Sequence, residues 1–253
     1  MVTYEVQDRV AVITIRRPEA RNAVNAEVAN GIEAAIDRLE EDSDAWVGII
    51  TGEGSVFSAG ADLKEIAAGR AAQIMTARGG FGGIARRERT KPIIAAVDGP
   101  ALAGGTEIVL SCDLVVASTA ASFGIPEVKR SLVAAAGGLF RLPRALPLNI
   151  AMELAVTGEP ITAERAHHFG LVNELVAPGQ ALAAAMALAA RIVVNAPVAV
   201  RASRRVVLAS QRGDDEALWK LTDQAMFEAA SSEDFAEGPR AFIEKRPPVW
   251  KGH

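Results

Sequence analysis

Cysteine and histidine are scarce in this 253-residue chain, and their scarcity excludes several kinds of site. The single cysteine, Cys112, rules out a disulfide framework and a zinc site built from cysteines. The three histidines are His167, His168 and His253, and two sequence neighbours plus a terminal residue do not form a metal triad. We therefore predict that the protein binds no metal.

Basic residues and long apolar runs are also few. Lysine and arginine number 27 against 31 acidic residues, so the formal net charge is −4, whereas a nucleic-acid-binding domain shows a basic patch. The longest stretch without a charge, residues 175–190, contains Pro178 and Gly179 and is too short to cross a bilayer core of ~30 Å. The N-terminal residues lack the pattern of a signal peptide. We expect a cytoplasmic protein without nucleic-acid or membrane partners.

Small residues are abundant instead. Alanine occurs 49 times and glycine 22 times, while aromatic residues make up only 5% of the chain. Half of the residues are hydrophobic, which is enough for a sizeable core. Most of the alanine lies in predicted helices, where alanine is a strong helix former. Small side chains in turns have a different use, because they let a ligand approach the backbone.

Strand-like and helical segments alternate in the first part of the chain, which predicts an α/β fold with largely parallel strands. Asn25 is the predicted N-cap of the first helix. The strand-like apolar runs are residues 10–15, 47–51, 92–97 and 113–117. From Gly137 onward the pattern is mostly helical, with a strand-like break at 171–176. The predicted helices there are residues 180–194, 197–210, 214–230 and 233–245.

This organisation predicts one catalytic domain over residues 1–195 and a helical oligomerisation region over residues 196–253. A polar stretch from Lys64 to Thr90 carries four glycines between residues 79 and 83. Glycine makes a segment costly to order, so we expect this stretch to form a mobile or variable cover.

Several common catalytic motifs are missing from the sequence. There is no GxxxxGK[ST] phosphate loop and no GxSxG nucleophile elbow. Gly52 and Gly54 follow a strand, but Phe57 stands where a dinucleotide fingerprint needs glycine. Cys112 lies in an apolar run, and we interpret it as a small buried hydrophobe.

Two glutamates are the candidates for acid–base chemistry. Glu107 is the only charge in a run of small and apolar residues from Ala101 to Cys112. Either it faces a cavity with a raised pKa, or it lies on an exposed helix face. Glu127 follows Pro126 directly, and Pro-Glu is equally typical of the first turn of a helix.

Two turns rich in small residues follow predicted strands, at residues 58–62 and 102–105. Ligands of α/β proteins bind at the carboxyl ends of the strands. The backbone N–H groups of two such turns can converge on one oxygen as an oxyanion hole. The alternative is that both segments are simply tight turns.

Seven segments extend the pattern over essentially the whole chain: RRPEARNAVN, FSAGADLKE, AxDGPALAGGTEIVLSCD, ASFGIPE, GGLFRLPR, TGEPITAERAHHFGLVNE and EGPRAFIEKR. In this order and spacing they resemble the enoyl-CoA hydratase/isomerase (crotonase) family. The resemblance implies a crotonase-like ββα spiral core with a C-terminal helical trimerisation region. It also implies no cofactor, since coenzyme A belongs to the substrate, and a homotrimer or a dimer of trimers.

The resemblance assigns roles to the candidate residues. It implies an oxyanion hole formed by the N–H groups of Ala61 and Gly104, and catalytic carboxylates at Glu107 and Glu127. Hydration needs one group that deprotonates water and another that protonates the α-carbon, whereas an isomerase can use a single carboxylate. The implied substrate and CoA contacts are Arg21, Ala23, Ala59 and Asp62, with Phe242 and Lys245 reaching the site from a neighbouring subunit.

The chain also departs from the best-known hydratases. Ala135 stands where a glycine helps to position the water, and Ala134 replaces a proline. The segment GPALAGGTE and the C-terminal sequence resemble relatives that act on bulkier or carnitine-linked acyl groups. Because the resemblance implies both catalytic carboxylates, we predict an enoyl-CoA hydratase. The alternatives are a carnitinyl-CoA dehydratase-like or isomerase reaction, and an acyl-CoA-binding protein without turnover.

Overall fold

The computed structural model describes residues 1–211 and 213–253, and these residues form eleven strands and ten α-helices. The strands are β1 (Val2–Gln7), β2 (Val10–Ile15), β3 (Val47–Gly52), β4 (Met75–Thr76), β5 (Gly80–Phe81), β6 (Ile93–Val97), β7 (Ala101–Leu102), β8 (Leu114–Ser118), β9 (Ser122–Gly124), β10 (Ile161–Thr162) and β11 (Glu174–Val176). The helices are α1 (Ala26–Glu41), α2 (Leu63–Ala67), α3 (Gly104–Val109), α4 (Gly138–Ala145), α5 (Leu148–Thr157), α6 (Ala163–His168), α7 (Ala181–Val193), α8 (Pro197–Ala209), α9 (Asp215–Ala230) and α10 (Glu237–Glu244).

The main sheet has six strands in the order β1-β2-β3-β6-β8-β11. Only the β1–β2 pair is antiparallel, and the other pairs are parallel as the sequence predicted. Alternate residues of β3 point to opposite faces. Ile50 belongs to the core that contains α1, and Ile49 to the core that contains α7. Both faces of the sheet are therefore covered by helices, which explains why its central strands are continuous apolar runs.

A second sheet, in the order β10-β9-β7, positions the two candidate glutamates. Strand β7 runs parallel to β9 and leads into α3, and β9 leads into a 3-10 helix at Pro126–Arg130. The Thr106 hydroxyl donates to the Ala101 carbonyl at 2.6 Å and accepts the Gly124 N–H at 2.9 Å. The turns after β7 and β9 are consequently fixed side by side.

The helix predictions are confirmed except at the C-terminus. Asn25 accepts the Val28 N–H at 2.9 Å, so it is the N-cap of α1. Residues 233–245 do not form one helix, because a 3-10 turn at Glu233–Phe235 precedes α10. The buried Asp234 carboxylate of that turn accepts the N–H groups of Lys251 and Gly252, at 2.6 and 2.9 Å. The C-terminal segment thus folds back onto this turn.

Helix α8 is attached to the main sheet by a partly buried ion pair. Asp113, which precedes β8, accepts hydrogen bonds from Arg89 and from Arg204 of α8, both at 2.9 Å. The division at residue 195 remains a prediction. Within the described residues no single helix is long and apolar enough to span a membrane; α7 and α8 meet the length and composition criteria only together, with a 106° bend between them.

Candidate active site

A cavity of about 690 Å³ lies where the predicted site residues converge. Eight of the ten predicted residues line it, namely Arg21, Ala23, Ala59, Ala61, Asp62, Gly104, Glu107 and Glu127. Phe242 and Lys245 do not. Phe242 lies on α10 with 85% of its surface exposed, and Lys245 caps that helix. Both are predicted to contact the substrate in the site of a neighbouring subunit. A single chain does not test this role, so it stays a prediction.

Glu107 is buried in α3, with 3% of its surface exposed, and lines the cavity. Its Oε1 atom accepts the N–H groups of Ala136 and Gly138, at 2.7 and 2.9 Å. Its Oε2 atom accepts no hydrogen bond from the described residues. Burial raises the pKa of Glu107, and the two N–H groups oppose this increase. Of the two interpretations of the sequence, the cavity is confirmed and the exposed helix face is wrong.

The turn that holds Glu107 depends on glycine. Gly137 has φ +108°, so the N–H groups on either side of it can point to the same oxygen. A Cβ at this position would lie 2.5 Å from Nη1 of Arg141. Sequence reasoning missed this contact, although the Gly137-Gly138 pair resembles the other two small-residue turns. Ala135 lines the cavity beside this turn.

Glu127 lies in the first turn of the 3-10 helix and also lines the cavity. Its Oε2 atom is buried and accepts no hydrogen bond from any described residue. Burial raises the pKa of Glu127 to about 7, and the charge of Glu107 contributes to this increase. A carboxyl group with a pKa near neutrality exchanges protons readily in either direction. Both interpretations of Glu127 therefore apply: it follows a proline in the first turn of a helix, and it also lines the cavity.

The turns that contain Ala61 and Gly104 pack so closely that neither Gly60 nor Gly104 has room for a side chain. Gly60 has φ +83°, and a Cβ there would lie 2.6 Å from the Gly104 nitrogen. A Cβ on Gly104 would lie 2.3 Å from the ring of Phe81. Neither the Ala61 nor the Gly104 N–H donates a hydrogen bond within the described part of the chain. Ala103, the residue before α3, has φ +54° and ψ −128°, a strained conformation of the kind found at ligand sites.

Asp62 also has a structural function. Its carboxylate pairs with Arg17 at 2.7 Å and accepts the Lys64 N–H at 3.0 Å, which caps α2. Burial acts to raise the pKa of Asp62, but these contacts prevail and lower it. Arg21 has no ion pair within residues 1–211 and 213–253 and is exposed at the cavity wall. Of these two predicted contacts, Arg21 is the one whose charge is available to a ligand.

The segment from Lys64 to Thr90 covers the cavity, and Ile74, Met75 and Phe81 line it. Its β4–β5 hairpin is attached to α1, because Glu33 accepts the Gly79 N–H at 2.6 Å. Arg78 and Arg87 both pair with Asp37 of the same helix. The cover thus has defined anchor points on α1.

Cys112 lies outside the cavity lining, and its thiol donates a hydrogen bond to the Ile108 carbonyl at 3.4 Å. Burial raises the pKa of this thiol to about 12. A thiol with so high a pKa is a poor nucleophile. Cys112 packs against the core as the sequence predicted for a small hydrophobe, but it is partly buried and not fully buried.

Two carboxyl groups and two available N–H groups on one cavity define an enzyme that performs acid–base chemistry next to a carbonyl group. The sequence profile described as enoyl-CoA hydratase/isomerase matches residues 5–253. The chain belongs to this family.

Similar proteins support the assignment along the whole length of the chain. An enoyl-CoA hydratase of Mycobacterium tuberculosis is 40% identical, with 96% of this chain and 94% of that protein covered. A carnitinyl-CoA dehydratase of Salmonella typhi is 39% identical, with 95% and 94% covered. The crystal structure of a probable enoyl-CoA hydratase/isomerase from Mycobacterium abscessus is 52% identical with a TM-score of 0.94, and covers 100% of this chain and 98% of that one.

Proposed function

We propose that this protein is an enoyl-CoA hydratase, which catalyses the reversible syn addition of water to a 2-enoyl-CoA to give a 3-hydroxyacyl-CoA. The main supporting observation is that Glu107 and Glu127 line one cavity with the Ala61 and Gly104 backbone. One carboxyl group is sufficient to move a proton within an enoyl group. Hydration needs two proton transfers, one from water and one to the α-carbon, and two carboxyl groups can carry them separately.

The N–H groups of Ala61 and Gly104 bind the thioester oxygen and stabilise the negative charge that develops on it. Glu107 holds a water molecule through its free Oε2 and accepts one proton as the water oxygen bonds to the β-carbon. Glu127 gives its proton to the α-carbon. The product state therefore carries the proton on Glu107 and the charge on Glu127, and the pair contains one proton before and after the reaction.

Dehydration of a carnitinyl-CoA is the second candidate, because it is the reverse of the same chemistry. The Salmonella relative that bears this name is nearly as similar as the hydratase. The cavity contains the positively charged Arg130, which has no ion pair within the described residues. The charge of Arg130 acts on Glu127, whose pKa it lowers, and a cation close to this carboxyl group opposes the quaternary ammonium of a carnitinyl group. We therefore favour neutral acyl chains.

A panel of acyl-CoA substrates tests this proposal. We expect loss of the enoyl-thioester absorbance with crotonyl-CoA or a longer or branched 2-enoyl-CoA, with slower formation of the absorbance from carnitinyl-CoA. Calorimetry on the same compounds measures binding separately. Tight binding without turnover of any compound would reject the hydratase and indicate an acyl-CoA-binding protein.

We further propose that the chain functions in the cytoplasm as a homotrimer or a dimer of trimers. The support comes from large apolar side chains on the C-terminal helices that the single chain leaves exposed. The most exposed are Trp219, Phe227, Phe242 and Ile243, with 69%, 75%, 85% and 77% of their surfaces accessible. Apolar surface of this extent is typical of an interface.

Lys245 provides a test of a site shared between subunits. It has φ +53°, a backbone conformation that asparagine tolerates, so Lys245→Asn removes the charge with little strain. We expect the KM for the CoA substrate to rise about 10-fold through the lost phosphate contact, while sedimentation still shows a trimer. Lys220→Asn, which changes an exposed lysine paired with Glu216, is the control. An unchanged KM in Lys245→Asn would contradict the shared site.

A further inference from the structure

Arg141 of α4 contacts three separate segments around the candidate site. Its Nη1 atom donates to the Ser111 hydroxyl at 3.0 Å and to the Ala136 carbonyl at 3.2 Å. Its Nη2 atom donates to the Ala85 carbonyl at 2.6 Å. These acceptors belong to the segment after α3, to the turn before α4 and to the cover. One guanidinium thus links all three.

Two of these three contacts lead directly to Glu107. The same Ala136 residue that accepts from Arg141 through its carbonyl donates its N–H to Glu107 Oε1. The Ser111 hydroxyl that accepts from Arg141 donates to the Glu107 carbonyl at 2.7 Å. Arg141 therefore contacts both the partner of the Glu107 side chain and the partner of its backbone.

We propose that Arg141 is a positioning residue for Glu107, holding the turn of Ala136 and Gly138 so that Glu107 Oε2 faces the reacting water. This inference rests on the proposed function, in which Glu107 handles the water. Arg141 does not line the cavity, so it affects the reaction through the residues that it contacts. The glycine at 137 fits the arrangement, because a side chain there would displace the guanidinium.

The chemistry of arginine explains why this position needs it. A guanidinium is planar and presents donors in several fixed directions, so it can bind oxygens of three segments at once. A lysine ammonium keeps the charge but is a single point of contact. The positive charge also lowers the pKa of Glu107 against the dominant effect of burial. The other carboxyl group at this part of the cavity is Glu127, which is protonated when hydration begins.

Arg141→Lys is the principal test. We expect kcat to fall about 10-fold, since a small displacement of a catalytic group has an effect of this order or larger, while KM stays within about twofold. The matched control is Arg144→Lys on the same helix. Both arginines lie over the Phe140 ring, at 5.3 and 5.2 Å, but Arg144 is exposed and donates no hydrogen bond to the turn in the described part of the chain. We expect the control to keep full activity.

Two further variants separate position from charge. Arg141→Gln removes the charge as well, so we expect the acid limb of kcat/KM to move to higher pH, a change that Arg141→Lys should not cause. Ser111→Ala leaves Arg141 in place and removes only the hydroxyl that joins it to the Glu107 carbonyl, so it should lower kcat by a few-fold; it provides the test if the arginine variants do not fold.

The pKa of Glu107 can also be measured in the substrate-free protein by carboxyl ¹³C NMR, which is independent of turnover. A higher pKa in Arg141→Gln supports the inference even if the wild-type protein hydrates none of the compounds tested. A folded Arg141→Lys protein with unchanged kcat, together with an unchanged Glu107 titration in Arg141→Gln, would overturn it.

Discussion

Replacing Glu107 with glutamine is expected to lower kcat for hydration of a 2-enoyl-CoA by about 10²–10⁴-fold, the usual contribution of a general base. Glutamine keeps the oxygen that accepts the Ala136 and Gly138 N–H groups, so the turn is preserved. Its NH₂ group cannot accept the proton that water must lose. We therefore expect KM to change little, because the side chain acts in the reaction and not in CoA binding.

Steady-state kinetics of wild type and Glu107→Gln on crotonyl-CoA measure this effect. Thermal unfolding is the control for folding, and we expect the variant to be at least as stable near neutral pH because it removes a carboxyl group whose pKa burial raises. Assaying a 3-enoyl-CoA in parallel distinguishes the reaction types. Hydration within about threefold of wild type would exclude Glu107 as the base. Isomerase turnover that persists when hydration is lost would show that Glu127 can transfer a proton alone.

The sequence was sufficient to predict the parts of the site that leave a local signature. Glu107 is conspicuous because a charge inside an apolar helical run must have a partner or a cavity. The turns at Ala61 and Gly104 were identifiable because small residues follow strands. The apolar runs that became β2 and β3 were also clear, since a covered parallel sheet requires them.

The support around Glu107 could not be predicted in the same way. Its partners are backbone N–H groups 29 and 31 positions away, and a backbone donor is present at every residue except proline. In the sequence Arg141 cannot be distinguished from the other arginines, because its three acceptors come together only in the folded chain. The resemblance to a family located the segment without showing what it does.

The cover illustrates a second limit. Glycines between residues 79 and 83 predict a mobile or variable cover, but they do not indicate that this hairpin is attached to Glu33 and Asp37 of α1. Both acidic residues lie on a helix where charged side chains ordinarily face solvent. Their use as anchors depends on the tertiary position of the hairpin, more than 40 residues further along the chain.

Glu127→Gln is expected to lower kcat by about 10²–10⁴-fold and also to change the pH dependence. Hydration begins with Glu107 ionised and Glu127 protonated, and dehydration begins with these states exchanged. Because both directions use the pair with one proton, kcat/KM should follow the same bell-shaped profile in both directions. Burial, with the charge of Glu107, raises the pKa of Glu127 to about 7. We therefore place the alkaline limb near pH 7, where the pair loses its remaining proton.

The variant should lose this alkaline limb, since glutamine does not titrate, and keep the acid limb that comes from Glu107. Profiles of kcat/KM for hydration and dehydration between about pH 5 and 9 measure both features. The pH dependence of stability tests the raised pKa of Glu127 independently of the kinetics. The folded protein binds more protons at Glu127 than the unfolded chain does, so wild-type stability falls as pH rises from the usual value of 4.5 to about 7. Glu127→Gln should escape this loss, and an alkaline limb that persists in the variant would assign the limb to another group.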